Sequence, residues 1–158
     1  MKFLILVSLA ALSFQTFASN NIKDFIGRYD LIEQTVDGDT FCFEKVMISH
    51  RNGIVDVFRE VTSYGPMYSA ELNGAPRETS GSHGEAGSSR KGEDTITLKN
   101  GVLTASYKGS VRVAGIPVSR ESDTLEMTLS PNKKEINVIR TTRAGFSKGK
   151  ATCRYSAR

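Results

Sequence analysis

Around Asn100-Gly101 the chain spells out an antiparallel pair of strands residue by residue. Asn-Gly supplies the two positive-φ positions of a type I′ hairpin turn, and a two-residue turn fixes the register of both arms. With those residues as the loop, Leu98 faces Leu103 and Ile96 faces Ala105 on one side. On the other side Thr97 faces Thr104 and Thr95 faces Ser106. One face is apolar and the other hydroxyl-rich, the division an antiparallel sheet needs between a core side and a water side.

The same alternation recurs. Asn52-Gly53 predicts a second hairpin, with Ile48 opposite Val57, Met47 opposite Phe58 and Lys45 opposite Glu60. Tyr29 and Leu31, then Tyr68, Ala70 and Leu72, mark the apolar faces of earlier strands. Val111 and Val113, Leu125 to Leu129, Ile136 and Val138, and Ala151 to Tyr155 mark later ones at alternate positions. The pattern predicts about nine or ten short strands and at most one helical turn, around Asn20 to Phe25. Turns are expected at Asp37-Gly38-Asp39, at Gly115 with Pro117, and at Pro131-Asn132-Lys133. One segment breaks the rhythm: Arg77 to Asp94 is rich in Gly and Ser, has no apolar residue larger than Ala86, and predicts a flexible loop over 77–94. Short connections elsewhere favour an all-β, antiparallel up-and-down barrel of about 8–10 strands, with a β-sandwich as the second architecture. A lipid-facing barrel wall is disfavoured, because the outward parity carries Glu126, Thr97, Asn73 and Arg154.

The first eighteen residues read as a secretory signal peptide. Lys2 is followed by an apolar run from Phe3 to Leu12 broken only by Ser8, and Thr16-Phe17-Ala18 offers small residues before a cut at Ser19. That run is too short to span a bilayer, so no transmembrane anchor is expected. The remaining residues 19–158 suffice for one domain with one core, exported to a secreted or periplasmic location. Cys42 and Cys153 both remain after cleavage, and in an oxidising compartment an even pair predicts a disulfide.

That bridge raises a geometric difficulty. In a closed meander the last strand lies beside the first, which sets Cys153 two strands, or about 10 Å, from Cys42. A disulfide spans no more than about 7 Å between Cα atoms. Either one cysteine sits at a strand end where the chain bends inward, or the strand order is not a simple meander. Parity adds to the problem, since Phe41 and Phe43 share one face while Cys42 shares the other with Val46 and Ile48. A bulge near Glu44-Lys45 would gather Phe41, Phe43, Val46 and Ile48 but turn Cys42 outward.

Asp24-Phe25-Ile26-Gly27-Arg28-Tyr29 resembles the opening of the lipocalin or calycin superfamily, where a short helical turn leads into Gly-x-Trp on the first strand. Tyr29 stands in the Trp position, and Arg154 is the candidate for the last-strand Arg that packs over it. The resemblance implies an interior pocket at the barrel mouth for a small apolar or amphipathic ligand.

Candidate chemistry is sparse. Ser80, His83 and Glu85 are suitable residue types for nucleophilic or metal chemistry, but a Gly-rich segment offers nothing to fix their geometry. His50 beside its turn reads as a surface residue, and no metal site, cofactor site or enzyme activity is expected. Glu33, Glu44 and Glu121 could each line a barrel interior. The candidate ligand lining is Tyr29, Leu31, Ile96, Leu98, Leu103, Tyr107, Leu125 and Met127.

Charge is unevenly spread. Residues 19–132 carry 12 basic and 16 acidic side chains, whereas residues 133–158 carry eight basic ones against Glu135 alone. Lys133, Lys134, Arg140, Arg143, Lys148, Lys150 and Arg154 form a candidate basic edge for an anionic envelope surface, through which an interaction or inhibitor protein could act. Nucleic acid is a poor fit, since few aromatic side chains are interleaved for base stacking.

Overall fold

Every strand of the computed structural model pairs antiparallel with its neighbours, and the structure describes residues 21–59, 65–82 and 88–158. The expected leader over 1–18, together with Glu60, His83 and Glu85, lies outside the described residues. After a single helical turn, α1 (Ile22–Phe25), come β1 (Gly27–Gly38), β2 (Lys45–Arg51), β3 (Ile54–Phe58), β4 (Tyr68–Glu71) and β5 (Arg77–Ser82). Five longer strands follow: β6 (Ser88–Lys99), β7 (Val102–Val113), β8 (Ile116–Leu129), β9 (Glu135–Ala144) and β10 (Ser147–Ala157). The sheet order is β4-β3-β2-β1-β10-β9-β8-β7-β6-β5. This is a nearly closed up-and-down barrel.

Both Asn-Gly turns set the expected registers. Asn52 and Asn100 adopt positive φ values of 53° and 50°. Ile48 pairs with Val57 and Met47 with Phe58, while Leu98 pairs with Leu103 and Ile96 with Ala105. On the wet face the Thr95 and Ser106 hydroxyls hydrogen-bond at 2.7 Å. Inside, Ile96, Leu103, Leu125, Met127, Ile136 and Val138 are fully buried together with Cys153 and Tyr155. A capping box between Asn21 and Asp24 starts α1, which packs Ile22 and Phe25 into that core. The seam between β4 and β6 is not a full ladder. It is held by an isolated bridge between Asn73 and Thr97, and by the Asp94 carboxylate, whose Oδ2 accepts from the Ser69 backbone N–H at 3.1 Å.

The 77–94 segment differs from expectation. Arg77–Ser82 and the start of β6 form a ladder, with Arg77 opposite Asp94 and Ser82 opposite Ser89. A ladder needs only backbone donors and acceptors. The edge strand β5 covers no core, and Arg77, Glu78, Ser80 and Gly81 are all exposed, so no apolar face was there to read. The expected pairing of Tyr29 with Arg154 is also corrected. Tyr29 is buried inside and donates its hydroxyl to the Phe25 carbonyl at 2.9 Å. Arg154 has the opposite parity on β10 and reaches Glu33 at 2.8 Å on the outside.

Cys42 and Cys153 are joined, with Cα atoms 5.8 Å apart. The chain bends inward: β1 pairs with β2 only over Gly27 to Asp30, and continues beyond that beside β10 alone. Residues 39–44 therefore leave the ladder and fold back across the inner side of β10. There Gly149 admits them, since a Cβ at that position would come within 2.7 Å of Thr40. Cys42 and Phe43 become buried, and no strand bulge near Glu44 is needed. The cross-link spans 111 residues of sequence. Replacing Cys153 by Ser is expected to cost on the order of 4–5 kcal/mol, because so long a loop loses much unfolded-state entropy when closed. Urea denaturation with and without reductant checks this: reduced wild type and the variant should unfold at the same, lower midpoint.

Candidate functional site

The barrel interior changes character at one height. Successive inward rows can be followed across the paired strands. Leu98, Leu103, Met127, Val138 and Cys153 form an apolar row, and Ile96, Ala105, Leu125, Arg140 and Ala151 form the next. The row above is Asp94, Tyr107, Asp123 and Thr142, and above that stand Gly92, Gly109 and Glu121. The strands are longer than the apolar core, so their upper inward positions form a polar mouth. A cavity of about 560 Å³ opens there, walled by Phe41, Phe43, Tyr68, Arg90, Tyr107 and Arg140 among others.

Arg140 is the most constrained of these side chains. Its Nε and Nη2 donate to Asp123 at 3.1 and 2.7 Å, and its Nη1 donates to the Phe41 carbonyl at 2.9 Å. The guanidinium also lies 4.2 Å from the Phe43 ring centroid and 4.6 Å from that of Phe41. Bidentate pairing and aromatic contact match the planar guanidinium, and removing one partner of such a buried pair costs about 3–5 kcal/mol. Arg140 thus clamps the inward segment 39–44 to the barrel wall.

Arg90 is held differently. Its Nε donates to Glu121 at 3.0 Å, and its Cζ sits 3.7 Å above the Tyr107 ring centroid. Its side chain keeps 40% of its exposure. Tyr107 lies flat because the opposed Gly92 and Gly109 leave room for it. A Cβ on Gly92 would come within 2.6 Å of the ring, and one on Gly109 would strike the hydroxyl. Gly109→Ala is therefore expected to tilt Tyr107 off this floor and cost about 1–3 kcal/mol, the range for overpacking. Loss of near-ultraviolet tyrosine dichroism, with a lower urea midpoint, would report it; an unchanged midpoint would contradict the packing.

Three polar atoms are buried here without a hydrogen bond of good geometry among the described residues: the Tyr68 and Tyr107 hydroxyls and Asp94 Oδ1. Burial pushes the Tyr68 phenol well above its ordinary pKa, and the nearby Asp123 carboxylate pushes it further. Burial likewise raises Tyr107, against the opposing pull of Arg90. Asp94 is pushed up to about 6 by burial, although the Ser69 N–H, Arg90 and Arg77 all favour its charged form.

The sign follows from comparing the two states. The unfolded carboxyl titrates near 3.8, so the folded protein binds the extra proton between about pH 4 and 6. The stability tied to that proton is full below about pH 4 and is lost as pH rises through about 6. Asp94→Asn keeps an acceptor for Ser69 N–H and is expected to be more stable than wild type by about 3 kcal/mol near pH 8. That advantage should vanish near pH 4; a wild-type-to-variant difference equal at both pH values would show that Asp94 ionises as an ordinary carboxyl.

The candidate lining residues take a lower place than expected. Tyr29, Ile96, Leu103, Leu125 and Met127 are packed in the core, with Leu31 and Leu98 against it, and of the eight only Tyr107 walls the mouth cavity. Among the candidate carboxylates, Glu121 faces inward, whereas Glu33 and Glu44 are exposed. The basic edge is divided. Lys133 is paired with Asp24 at 2.8 Å, Arg154 with Glu33 and Glu135, and Arg140 is buried against Asp123. Lys134 sits apart at the β8–β9 turn, leaving Arg143, Lys148 and Lys150 exposed near the mouth. Ser80 and His50 are exposed. Arg90, Asp94 and Asp123 were missed as site residues, yet the register of the Asn100-Gly101 hairpin, extended upward, gives Arg90 and Asp94 inward parity, and alternation from Leu125 and Met127 gives it to Asp123.

Among the described residues no cluster of three or more His, Cys, Asp or Glu side chains could hold a metal ion, and no helix is long and apolar enough to cross a membrane. Comparison with protein-family models, with curated proteins and with solved structures finds no match for this chain.

Proposed function

We propose that this chain is an exported, non-catalytic binding barrel that takes one small amphipathic molecule at its mouth, in the manner of a lipocalin. The disulfide fits an oxidising compartment, and the nearly closed meander entered through a helical turn fits a lipocalin-like barrel at the level of architecture. The observation that carries the reading is the wall of the mouth cavity. Tyr68 and Tyr107 stand there beside Arg90, whose side chain is held by Glu121 through Nε and keeps 40% exposure. A guanidinium already fixed at one nitrogen and partly exposed offers an anionic group a charge-assisted hydrogen bond at little ordering cost. Phe41 and Phe43 supply apolar surface alongside. The ligand class is therefore a compact molecule with one apolar or aromatic body and one anionic or strongly accepting group.

Anilinonaphthalene sulfonate has that form and serves as the probe. It should bind the disulfide-intact protein with enhanced fluorescence, and Arg90→Ala should weaken binding roughly tenfold, the value of one charge-assisted hydrogen bond. Native mass spectrometry of protein purified from its own source should show a small-molecule adduct that Arg90→Ala removes. Probe affinity unaltered by both Arg90→Ala and Tyr107→Phe would end this reading.

A further inference from the structure

We infer that the outer flank of β7–β10 at the mouth end is a docking surface for an anionic lipid bilayer. The inference stands apart from the mouth reading, because its cations lie on the opposite face of the same strands and the groove beside them meets the mouth rim only at Gly109 and Glu121. Lys108, Ser122, Arg143 and Lys148 stand side by side in one cross-strand row on the outside. At about 4.8 Å per strand the row is roughly 14 Å wide. Arg120 lies two residues along β8 toward the hairpin tips, and Lys150 two residues along β10 in the other direction. None of these five cations forms an ion pair among the described residues. Glu93 stands opposite Lys108 and Asp37 opposite Lys150, neither within ion-pair distance, so the patch keeps a net positive charge.

Charge alone would suit any polyanion. What selects a bilayer is the apolar material beside it. Phe146, on the β9–β10 turn, is fully exposed at 106%, and Ile116 and Val118 on the β7–β8 hairpin are exposed at 67% and 59%. Val118 and Phe146 share an outer groove of about 610 Å³ with Lys108, Arg120 and Arg143. Large apolar side chains at hairpin tips gain nothing from a hydrated glycan or nucleic-acid backbone. They gain from the acyl boundary of a membrane, while Lys and Arg a few residues away meet the headgroup phosphates. Phe146 is three residues from Arg143 and two from Lys148, which puts it within about 10 Å of both along the strands. That spacing matches the depth over which interfacial side chains insert.

The chain contains no tryptophan, so Phe146→Trp supplies a single fluorescent reporter at a site with no packing to disturb. With vesicles of phosphatidylcholine containing phosphatidylglycerol, its emission should shift to the blue and be quenched by brominated acyl chains. Pure phosphatidylcholine vesicles should leave it unchanged. Adding Arg120→Glu, Arg143→Glu and Lys148→Glu should weaken vesicle binding on the order of 100-fold, and molar salt should weaken it steeply. Thermal melts of each variant confirm that the barrel is intact. Emission unaltered by anionic vesicles would overturn the proposal. So would equal binding to neutral vesicles, or capture by a soluble sulfated polysaccharide without any blue shift, which would make the surface one for polyanions instead.

Discussion

A shared register across β6, β7, β8 and β9 is the constraint on which the rest of the molecule depends. Strands of 12 and 14 residues are longer than the core requires, yet they stay paired almost to their tips. Side chains keep alternating wherever the ladder continues, so inward positions persist above the height at which apolar filling ends. Those positions must then carry groups that tolerate partial water. The change occurs in the same row on β6, β7 and β8, from Ile96, Ala105 and Leu125 to Asp94, Tyr107 and Asp123, and one row lower on β9, where Arg140 follows Val138. The mouth is a direct product of strand length.

Polar groups in that mouth are not equivalent, and the difference is one of completeness. Arg140 places three of its nitrogens on protein oxygens and two aromatic rings beside its plane. A pair so fully satisfied returns most of its desolvation cost and mainly fixes geometry, here the path of the inward segment that brings Cys42 to Cys153. Arg90 bonds Glu121 through one nitrogen and stacks on Tyr107. Asp94 uses one oxygen on the seam and leaves the other without a hydrogen bond among the described residues. The incomplete groups are the ones with capacity left for a ligand or a proton.

How much of this was legible depended on whether a residue's position follows from local turn chemistry. Asn-Gly turns carry their own geometry, so the pairs around Asn52 and Asn100 were readable, as were the helical turn and the meander. Cys42 was not placeable, because its position depends on β2 abandoning β1 after Asp30, a tertiary event with no local mark except Gly149 far along the chain. Edge strand β5 was hidden by composition, since a strand wet on both faces shows no alternation. The charges were misread for a simpler reason: sorting them by sequence position grouped buried Arg140 with exposed Arg143, three residues away and of opposite parity. Parity counted along β9 from Ile136 and Val138 separates them.

That separation also explains how one short sheet can support two unrelated chemistries. Along β8, Glu121 and Asp123 turn inward to Arg90 and Arg140, while Arg120 and Ser122 turn outward to the basic flank. Neighbours in sequence thus sit on opposite sides of a backbone layer, and their charges act on different media. Inside, few water molecules screen Asp123, and its interaction with Arg140 is strong and fixed. Outside, Arg120 is bathed in electrolyte, so its reach is limited to about 10 Å and depends on salt. A substitution on the outer face changes long-range attraction and leaves the mouth geometry alone, whereas one on the inner face does the reverse. Strand alternation, the same property that made the fold readable, keeps the two surfaces independent.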